Sequence, residues 1–404
     1  MPQPLAFLCI STYFKGEAFL RACKEAGNTV YLLTYEQLAD QPWPREAIDE
    51  FFYLPSQDNS SQNLDIMING LAHTMRSRKI DRVVAMDDFD VEKAALVRET
   101  FRIPGMGQTT ARFFRDKLAM RMRAAAEGIR VPAFSSLFHD ETITDFLRRT
   151  EAPWLIKPRS EASATGIKKV YSLDEAWQVI HSLGDNRHQF LIEQFKPGRV
   201  FHVDSLSKAG KVIFTRASQY LATPMEVAHG GGVFRTAVLP FDSDETKSLY
   251  PLNDAVLRAF RMQDSASHSE YIRGDHDGEF YFLETSSRVG GANIAELVEM
   301  ASGINLWREW ARLENALARE EAYQLPDSQN KYAGLIISLA RQPWPDTSGF
   351  TDPEIAWRMN KEHHVGFIVQ SPDRGRVLQL LDDYMQRIYR DYHASAPVPD
   401  KPTN

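Results

Sequence analysis

The sequence of 404 residues contains little cysteine and no excess of basic charge. Its two cysteines, Cys9 and Cys23, are too few for a disulfide framework and lack a metal-binding spacing, which indicates buried thiols in a reducing compartment. With 47 Lys and Arg against 54 Asp and Glu, the formal net charge is −7. This mildly acidic balance provides no electrostatic surface for nucleic acid, so we expect no nucleic-acid partner.

A long apolar run is also missing. The opening residues, "MPQPLAFLCIS", have no basic segment, and their apolar stretch is too short for a signal peptide or a membrane span. We therefore expect a soluble cytoplasmic protein without a membrane partner. Hydrophobic residues make up 43% and charged residues 25% of the chain, an ordinary globular composition, and the length suggests two or three domains.

Apolar strands alternate with amphipathic helices in the first part of the chain. Residues 4–11 form a continuous apolar run, and residues 16–27 have helical spacing closed by a glycine. Residues 28–35 and 80–88 have the composition of further strands. This order predicts a doubly wound parallel α/β domain over residues 1–110.

The rest of the chain has a mixed α+β pattern. One helix is expected over 112–132, followed by short strands and by a hairpin of the segments 200–206 and 211–218. The stretch "LPDSQN" at 325–330 is a linker candidate. The residues after it have the pattern of a small mixed cap.

The segment 281–291, "YFLETSSRVGG", raises the question of function. It begins as an apolar strand and ends on a carboxylate, Glu284, followed by Arg288 and two glycines. A core strand gains nothing from this arrangement, whereas a site for a metal and a charged anion does. Residues 281–284 of this segment end the second strand of a predicted hairpin over 267–284, which has a five-residue turn at 274–278.

Pairing Arg273 with Glu279 in this hairpin would pair Glu270 with Phe282. Glu270 and Glu284 then share one face as diagonal neighbours, with backbones about 7–8 Å apart. Two such carboxylates can bracket a Mg²⁺ ion, which prefers oxygen ligands. A solvated hairpin edge with two surface acids explains the hairpin alone equally well.

Three further charged residues favour the metal and anion site. Lys157 ends the apolar strand "WLIKP", and the loop 160–166 after it, "SEASATG", has small residues whose backbone could close over a polyphosphate. Glu193 ends the apolar strand "FLIEQF", and Lys117 lies in the helical segment "RDKLAMR". Each of these features alone has an ordinary interpretation as a surface residue or a plain loop.

Taken in order, these segments resemble the ATP-grasp superfamily over roughly residues 1–320, most closely the branch of biotin carboxylase and amino-acid ligases. The resemblance implies an α/β fold with α+β character in the catalytic part, in which ATP lies between two antiparallel sheets. Its parts would be a pre-ATP-grasp domain (1–110), a mobile lid (111–195), a catalytic subdomain (196–322) and a C-terminal cap and tail (323–404).

The resemblance assigns phosphate contacts to two lysines. Lys117 and Lys157 would bind the ATP phosphates, and Lys157 would also take part in catalysis. The lid loop with Ser163 and Gly166 would cover the nucleotide. Arg288 would stabilise the acyl-phosphate and the tetrahedral intermediate that follows it.

Adenine and substrate contacts are implied in the same way. Glu193 would bind the adenine amino group, with Gln194 and Phe195 along the ring. Gly290 and Gly291, opening a helix, would offer backbone N–H groups to a substrate carboxylate.

The metal site departs from the family at one position. Glu270 and Glu284 would ligate Mg²⁺, but the asparagine that usually follows two residues later is Ser286 in this chain. A hydroxyl is a weaker magnesium ligand than an amide oxygen. The resemblance therefore implies ATP and one or two Mg²⁺ ions as cofactors, with the second ion in question.

Other residues are candidates from their positions on strands. His202 and Asp204, two apart, share a face and are expected to line the nucleotide or substrate site, and His268 shares the face of Glu270.

Two arginines and a glycine loop are candidates for the substrate side. Arg216 and Arg235 are candidates for a clamp on a substrate carboxylate or phosphate, with plain exposed arginines as an equal alternative. His229 and Gly230 belong to a predicted flexible loop over the substrate, or to a plain turn.

The expected function is an ATP-dependent ligase that joins a small-molecule carboxylic acid to an amine through an acyl-phosphate and releases ADP. One alternative is a biotin-carboxylase-like enzyme that activates bicarbonate, although the sequence shows no biotin-carrier segment. The other is an ATP-binding regulator that has lost catalysis. Many relatives dimerise, so a homodimer is one possible assembly.

Overall fold

The first domain of the computed structural model is built on a four-stranded parallel sheet. The structure describes residues 4–55, 61–162 and 165–395. The strand order is β3-β2-β1-β4, and β1 is completely buried, as its continuous apolar sequence predicts. The parallel sheet expected from the sequence is therefore confirmed. Its elements are β1 (Ala6–Ile10), α1 (Glu17–Glu25), β2 (Thr29–Tyr35), β3 (Glu50–Leu54), α2 (Ser61–Thr74), β4 (Arg82–Ala85) and α3 (Val91–Phe101).

A second, antiparallel sheet has the strand order β5-β8-β6-β7. Helices α6 and α7 share an apolar core with this sheet. We call it the lid sheet. The elements of this part are α4 (Gln108–Ala111), α5 (Lys117–Ala126), β5 (Phe134–Ser136), α6 (Asp140–Arg149), β6 (Trp154–Pro158), β7 (Lys168–Val170), α7 (Leu173–Ser182) and β8 (Phe190–Gln194).

The helix predicted over 112–132 was too long at both ends. Helix α5 begins at Lys117 because the Asp116 carboxylate accepts hydrogen bonds from the N–H groups of Leu118 and Ala119 and so caps the helix. It ends at Ala126, before a glycine with φ of 73°.

The remaining strands form one eight-stranded sheet of order β13-β12-β9-β10-β11-β14-β16-β15, in which all neighbours are antiparallel. The C-terminal strands extend this sheet, because β14 pairs with β11. The elements are β9 (Gly198–Lys208), β10 (Lys211–Tyr220), α8 (Pro224–Gly230), β11 (Phe234–Val238), α9 (Asp244–Ala259), β12 (Ser265–Gly274), β13 (Phe280–Ser286), α10 (Ile294–Ser302), α11 (Leu306–Ala318), β14 (Tyr332–Leu339), β15 (Ile355–Arg358), β16 (His364–Ser371) and α12 (Arg374–Asp391).

The two faces of the large sheet differ in chemistry. Phe201, Tyr271 and Phe282 lie in register on one face and are completely buried in the main apolar core. By the two-residue period of a strand, Glu270 and His202 then point to the other face. This second face carries the candidate functional residues. Within the described part of the chain, no helix has the length and apolar composition needed to cross a membrane.

Candidate active site

The two candidate metal carboxylates lie directly opposite each other in the hairpin of β12 and β13. Glu270 pairs with Glu284, and Arg273 pairs with Phe280. The predicted register, which paired Arg273 with Glu279 and Glu270 with Phe282, was therefore wrong by one residue at Arg273 and by two residues at Glu270. The turn predicted at 274–278 lies one residue later, at 275–279 between the ends of the two strands, and the N–H of Gly274 bonds the Glu279 carbonyl at 2.9 Å.

A β-bulge explains why the carboxylates still share a face. The pairing shifts by one residue between Glu270 and Tyr271. Without that shift, the observed turn would place Leu283 opposite Glu270 and would send Glu284 to the other face. The displaced turn and the bulge each shift the pairing by one residue in the same direction, and the total shift of two residues keeps both carboxylates on one face.

Lys117 reaches this pair from the first turn of α5. Its Nζ lies 2.8 Å from Glu284 Oε2 and donates a 2.6 Å hydrogen bond to the Glu161 carbonyl of the lid loop. Burial opposes ionisation of Glu284, but the charge and hydrogen bond of Lys117, together with the charge of Lys157, outweigh burial and lower the pKa of that carboxyl. Asp116, which caps α5, also binds Arg159 at 2.9 Å and so ties the helix to the lid.

Lys157 belongs to a buried group of charges together with Glu193 and Arg121. Lys157 Nζ contacts Glu193 Oε1, and Arg121 Nε donates to Glu193 Oε2 at 3.0 Å. Arg121, which has no exposed surface, also donates from Nη1 to the Leu283 carbonyl on β13. Burial lowers the pKa of Lys157 to about 8, although Glu193 opposes the shift. The adenine contact of Glu193 stays a prediction, since both oxygens of its carboxylate hold internal cations.

Arg288 is held by an acid from the first domain. Its Nε donates to Asp88 Oδ2 at 2.9 Å, its Nη2 contacts the same oxygen, and its Nη1 donates to the Val289 carbonyl at 2.8 Å. Burial would raise the pKa of Asp88, but the guanidinium outweighs burial and holds that pKa well below its usual range. Asp88 lies three residues after the end of β4, so the carboxyl end of the parallel sheet meets the second face of the large sheet.

The glycines after Arg288 form a tight turn before α10. A Cβ at Gly290 would lie 2.8 Å from Asp204 Oδ1, so only glycine fits there without displacement. A Cβ at Gly291 would lie 3.9 Å from Lys15 Nζ. The two residues were expected to open the helix, but α10 begins at Ile294, after a residue with φ of 59°. Their N–H groups therefore belong to the turn.

Comparisons with known proteins agree with this architecture. No protein-family model matches the chain. The L-arginine-specific L-amino acid ligase of Bacillus subtilis is 26% identical over 252 residues, which are 61% of this chain. The chain spans 60% of the length of that curated relative.

Solved structures match nearly the whole chain. The L-amino acid ligase from Bacillus licheniformis superposes with a TM-score of 0.74 at 16% identity, covering 97% of this chain and 99% of that one. N5-carboxyaminoimidazole synthetase from Staphylococcus aureus, complexed with ADP, gives 0.71 at 14% identity, covering 95% and 98%. Biotin carboxylase from Campylobacter jejuni gives 0.68 at 16% identity, covering 94% and 90%.

The chain has the ATP-grasp fold. The fold implied by the resemblance, a mixed α/β architecture with parallel and antiparallel sheets, is thereby confirmed. The charges described above lie where the parallel domain, the lid sheet and the large sheet meet.

The donor set of the second face fits a magnesium ion. Glu270 and Glu284 are opposed carboxylates, and each has one oxygen engaged, Glu270 by the Tyr220 hydroxyl at 2.8 Å and Glu284 by Lys117. The other oxygens suit a hard cation that keeps water or phosphate ligands. Ser286 Oγ is buried and, within the described residues, has no hydrogen bond of standard geometry. It lies close to the Asp88 carboxylate and helps to lower the pKa of that group, so its role as a metal ligand stays a prediction.

The remaining lid and adenine candidates make local contacts within the lid part of the chain. Gly166 has φ of 72°, and a Cβ there would lie 3.0 Å from Pro158, so the loop folds back on its own strand. Ser163 lies outside the described residues. The N–H groups of Gln194 and Phe195 bond the carbonyls of Ala133 and Pro153, and the Lys169 ammonium lies 3.5 Å from the centre of the Phe195 ring. Their adenine contacts stay predictions.

The two arginine candidates differ in position. Arg235 alternates with Thr236 and bonds Asp382 of α12 at 2.5 Å. Thr236 reaches His202 on the second face, so Arg235 lies on the first face, and its predicted role as a clamp was wrong. Arg216 is buried and donates to the Gln329 carbonyl at 3.0 Å, so its substrate role stays a prediction.

The glycine segment before β11 is partly helical. The predicted loop at His229 and Gly230 is the end of helix α8, because Thr223 and Glu226 form a capping box at its start. The His229 side chain lies outside the described part of the chain.

Proposed function

We propose that this chain is an ATP-dependent carboxylate–amine ligase that forms an amide through an acyl-phosphate and releases ADP and phosphate. The observation that carries the proposal is the convergence of three parts of the fold on one group of charges. Lys157 comes from the lid sheet, Lys117 from α5 and Glu284 from the large sheet. Such a set suits a polyphosphate with a divalent cation.

The residues divide the work as follows. Lys117 and Lys157 bind and orient the ATP phosphates, and Glu270 and Glu284 hold Mg²⁺, which neutralises phosphate charge when bound. An oxygen of the substrate carboxylate attacks the γ-phosphorus, and ADP leaves. The amine then attacks the acyl carbon, loses a proton, and phosphate leaves with the bonding electron pair.

Arg288 is well placed for the charge that develops in both steps. Its contacts with Asp88 and Val289 use three of the five N–H donors of a guanidinium, as far as the described residues show. The remaining two can stabilise an acyl-phosphate or a tetrahedral oxyanion while Asp88 keeps the side chain in place.

Amino acids are the proposed substrates, by similarity to the two L-amino acid ligases. Released ADP should be measured with Mg-ATP over all pairs of proteinogenic amino acids, and the products weighed by mass spectrometry. We expect one or more pairs to yield ADP and a new amide. Glu284→Gln should abolish turnover, whereas Glu279→Gln, an exposed acid of the same hairpin that pairs with Arg130, should not.

Three outcomes would contradict the proposal. Release of AMP would exclude an acyl-phosphate route. Turnover that requires bicarbonate and biotin would favour the biotin-carboxylase-like alternative. Nucleotide binding without turnover over an extended panel of acids and amines would favour the regulator.

A further inference from the structure

A buried group of three side chains lies on the second face of the large sheet, beneath the candidate active site. The Asp204 carboxylate lies between two imidazoles, with Oδ2 2.6 Å from His202 Nδ1 and Oδ1 2.8 Å from His268 Nδ1. His202 and Asp204 have no exposed surface, and His268 is 9% exposed. We call these residues the His–Asp–His cluster. His202 and Asp204, which were expected to line the nucleotide or substrate site, thus lie below the candidate active site.

One end of the cluster reaches Glu270. The Tyr220 hydroxyl, which donates to Glu270 Oε1 at 2.8 Å, lies 3.5 Å from His268 Nε2. The same ring nitrogen lies 3.6 Å from Glu270 Oε1. At the other end, His202 Nε2 lies 2.8 Å from Thr236 Oγ1 on β11. A chain of polar contacts therefore crosses four strands and ends on a candidate metal ligand.

The cluster also supports the turn that follows Arg288. A Cβ built on Gly290 would lie 2.8 Å from Asp204 Oδ1 and 3.0 Å from His268 Nδ1. The backbone of this turn therefore rests directly on the Asp204–His268 pair. One rigid group touches both Glu270 and the turn at Gly290.

A metal ion held by the cluster itself is the competing explanation, since ligand atoms of its three residues lie within 4.8 Å of one another. Against it, both Nδ1 atoms already face the Asp204 oxygens at hydrogen-bond distance, and both Nε2 atoms have protein neighbours. A hydrogen-bonded network of this kind fixes its members. Stability alone does not require it, because well-packed apolar residues often replace buried charges without loss.

We propose that the His–Asp–His cluster is a positioning unit that holds the Glu270 carboxylate and the Gly290 turn in one fixed relation. The inference rests on the proposed function for the role of Glu270 as metal ligand, and on the contact between the Gly290 turn and a substrate carboxylate that the sequence resemblance implies. Hydrogen-bonded groups behind metal ligands commonly change metal affinity by about 10–100-fold when mutated. The cluster should act on metal and acid together, and little on the nucleotide alone.

Asp204→Asn is the decisive variant, because it keeps the volume of the side chain but gives one imidazole a donor in place of an acceptor. Ser269→Ala is the matched control. Ser269 is equally buried on β12, but it faces the other side of the sheet and bonds Thr285 Oγ1 at 2.7 Å. Tyr220→Phe provides a milder second variant that removes only the hydroxyl on Glu270.

The first measurement is calorimetric titration of Mg²⁺ into the complex of the full chain with ADP, which requires no turnover. We expect Asp204→Asn to weaken Mg²⁺ binding about tenfold or more, Tyr220→Phe to weaken it less, and Ser269→Ala to leave it unchanged. Binding of ADP without metal should change less than twofold in all three. If the ligase assay succeeds, KM for the acid should rise in Asp204→Asn more than KM for ATP.

Two results would overturn the inference. One is Mg²⁺ affinity and acid KM within twofold of wild type in both Asp204→Asn and Tyr220→Phe, with only the melting temperature lowered. The other is one equivalent of tightly bound metal that survives dialysis against chelator and is lost in Asp204→Asn, which would make the cluster a metal site. If Asp204→Asn does not fold, Tyr220→Phe decides. Failure of wild-type protein to bind Mg²⁺ with ADP would instead count against the proposed function.

Discussion

Replacement of Arg121 by methionine removes a cation that joins the lid sheet to the large sheet. Arg121 is fully buried in α5, and it donates to Glu193 on β8 and to the Leu283 carbonyl on β13. Methionine has a similar length and can fill the space, so the change tests charge and hydrogen bonding rather than volume. Lys157 remains as the partner of Glu193.

The expected loss of stability follows from the two contacts that Arg121 makes and methionine cannot make. A hydrogen bond to a charged group contributes about 1.5–3 kcal/mol, and a buried carbonyl left without a donor costs about 1–3 kcal/mol. Together they predict a loss of about 2.5–6 kcal/mol in the free energy of unfolding, a range that contains the loss of about 3–5 kcal/mol found when one partner of a buried ion pair is removed. Without Arg121, a Lys157 side chain that turns to a phosphate would leave the buried Glu193 carboxylate without its partner. We therefore expect ADP binding to weaken as well, and each cost of about 1.4 kcal/mol corresponds to about a tenfold loss of affinity.

Arg123→Met is the control in the same helix. Arg123 bonds the Ala259 carbonyl at 2.8 Å and pairs with Glu127, with 29% of its side chain exposed, so its loss should cost about 1 kcal/mol or less. Denaturant unfolding and ADP titration of both variants give the comparison. If Arg121→Met unfolds within 1 kcal/mol of Arg123→Met and binds ADP like wild type, the reasoning about this buried group is refuted.

Three further predictions concern the same centre. Asp88→Asn should lower kcat by about 100-fold with KM for ATP nearly unchanged, since Arg288 loses its orientation; steady-state kinetics check this, and an equal rise in KM would contradict it. Gly290→Ala should cost about 1–3 kcal/mol in unfolding free energy, because its Cβ would lie 2.8 Å from Asp204 Oδ1; unchanged thermal unfolding would contradict it. Burial lowers the pKa of Lys157 from 10.5 to about 8. Between pH 8 and pH 10.5 the unfolded chain therefore binds more protons than the folded chain, so the contribution of Lys157 to the free energy of unfolding rises with pH in this range. ADP affinity, which needs the ammonium, should fall above pH 8, and Lys157→Met should lose that pH dependence; equal ADP affinity of wild type at pH 7 and pH 9.5 would sink the assignment.

The hairpin of β12 and β13 shows how much of the candidate site a local sequence pattern can predict. The two-residue period of strands led to the prediction that Glu270 and Glu284 share a face. The register depended on the position of the turn and on the bulge next to Tyr271, and neither follows from composition. The prediction of a shared face was right because two one-residue shifts of the pairing, in the same direction, add to two residues.

Residues that function through distant partners were harder to find. Arg121 lies one helical turn after Lys117, so a shared direction was visible in the sequence, but its partners on β8 and β13 depend on the tertiary fold. Asp88 was visible only as an acid at the end of a strand. Its partner Arg288 is 200 residues away, and no local rule connects the two.

The charges of the centre suggest how nucleotide and metal would bind together. Lys117 is neutralised by Glu284, and Lys157 by Glu193. Under the proposed function, a Mg²⁺ ion that takes the Glu284 carboxylate frees the Lys117 ammonium for a phosphate, whereas Arg121 keeps Glu193 in place when Lys157 turns to its own phosphate contact. Each lysine then exchanges an internal partner for the ligand without leaving a buried carboxylate uncompensated, which would cost several kcal/mol. Under the proposed function, this exchange explains why a site that binds a polyanion also contains several carboxylates.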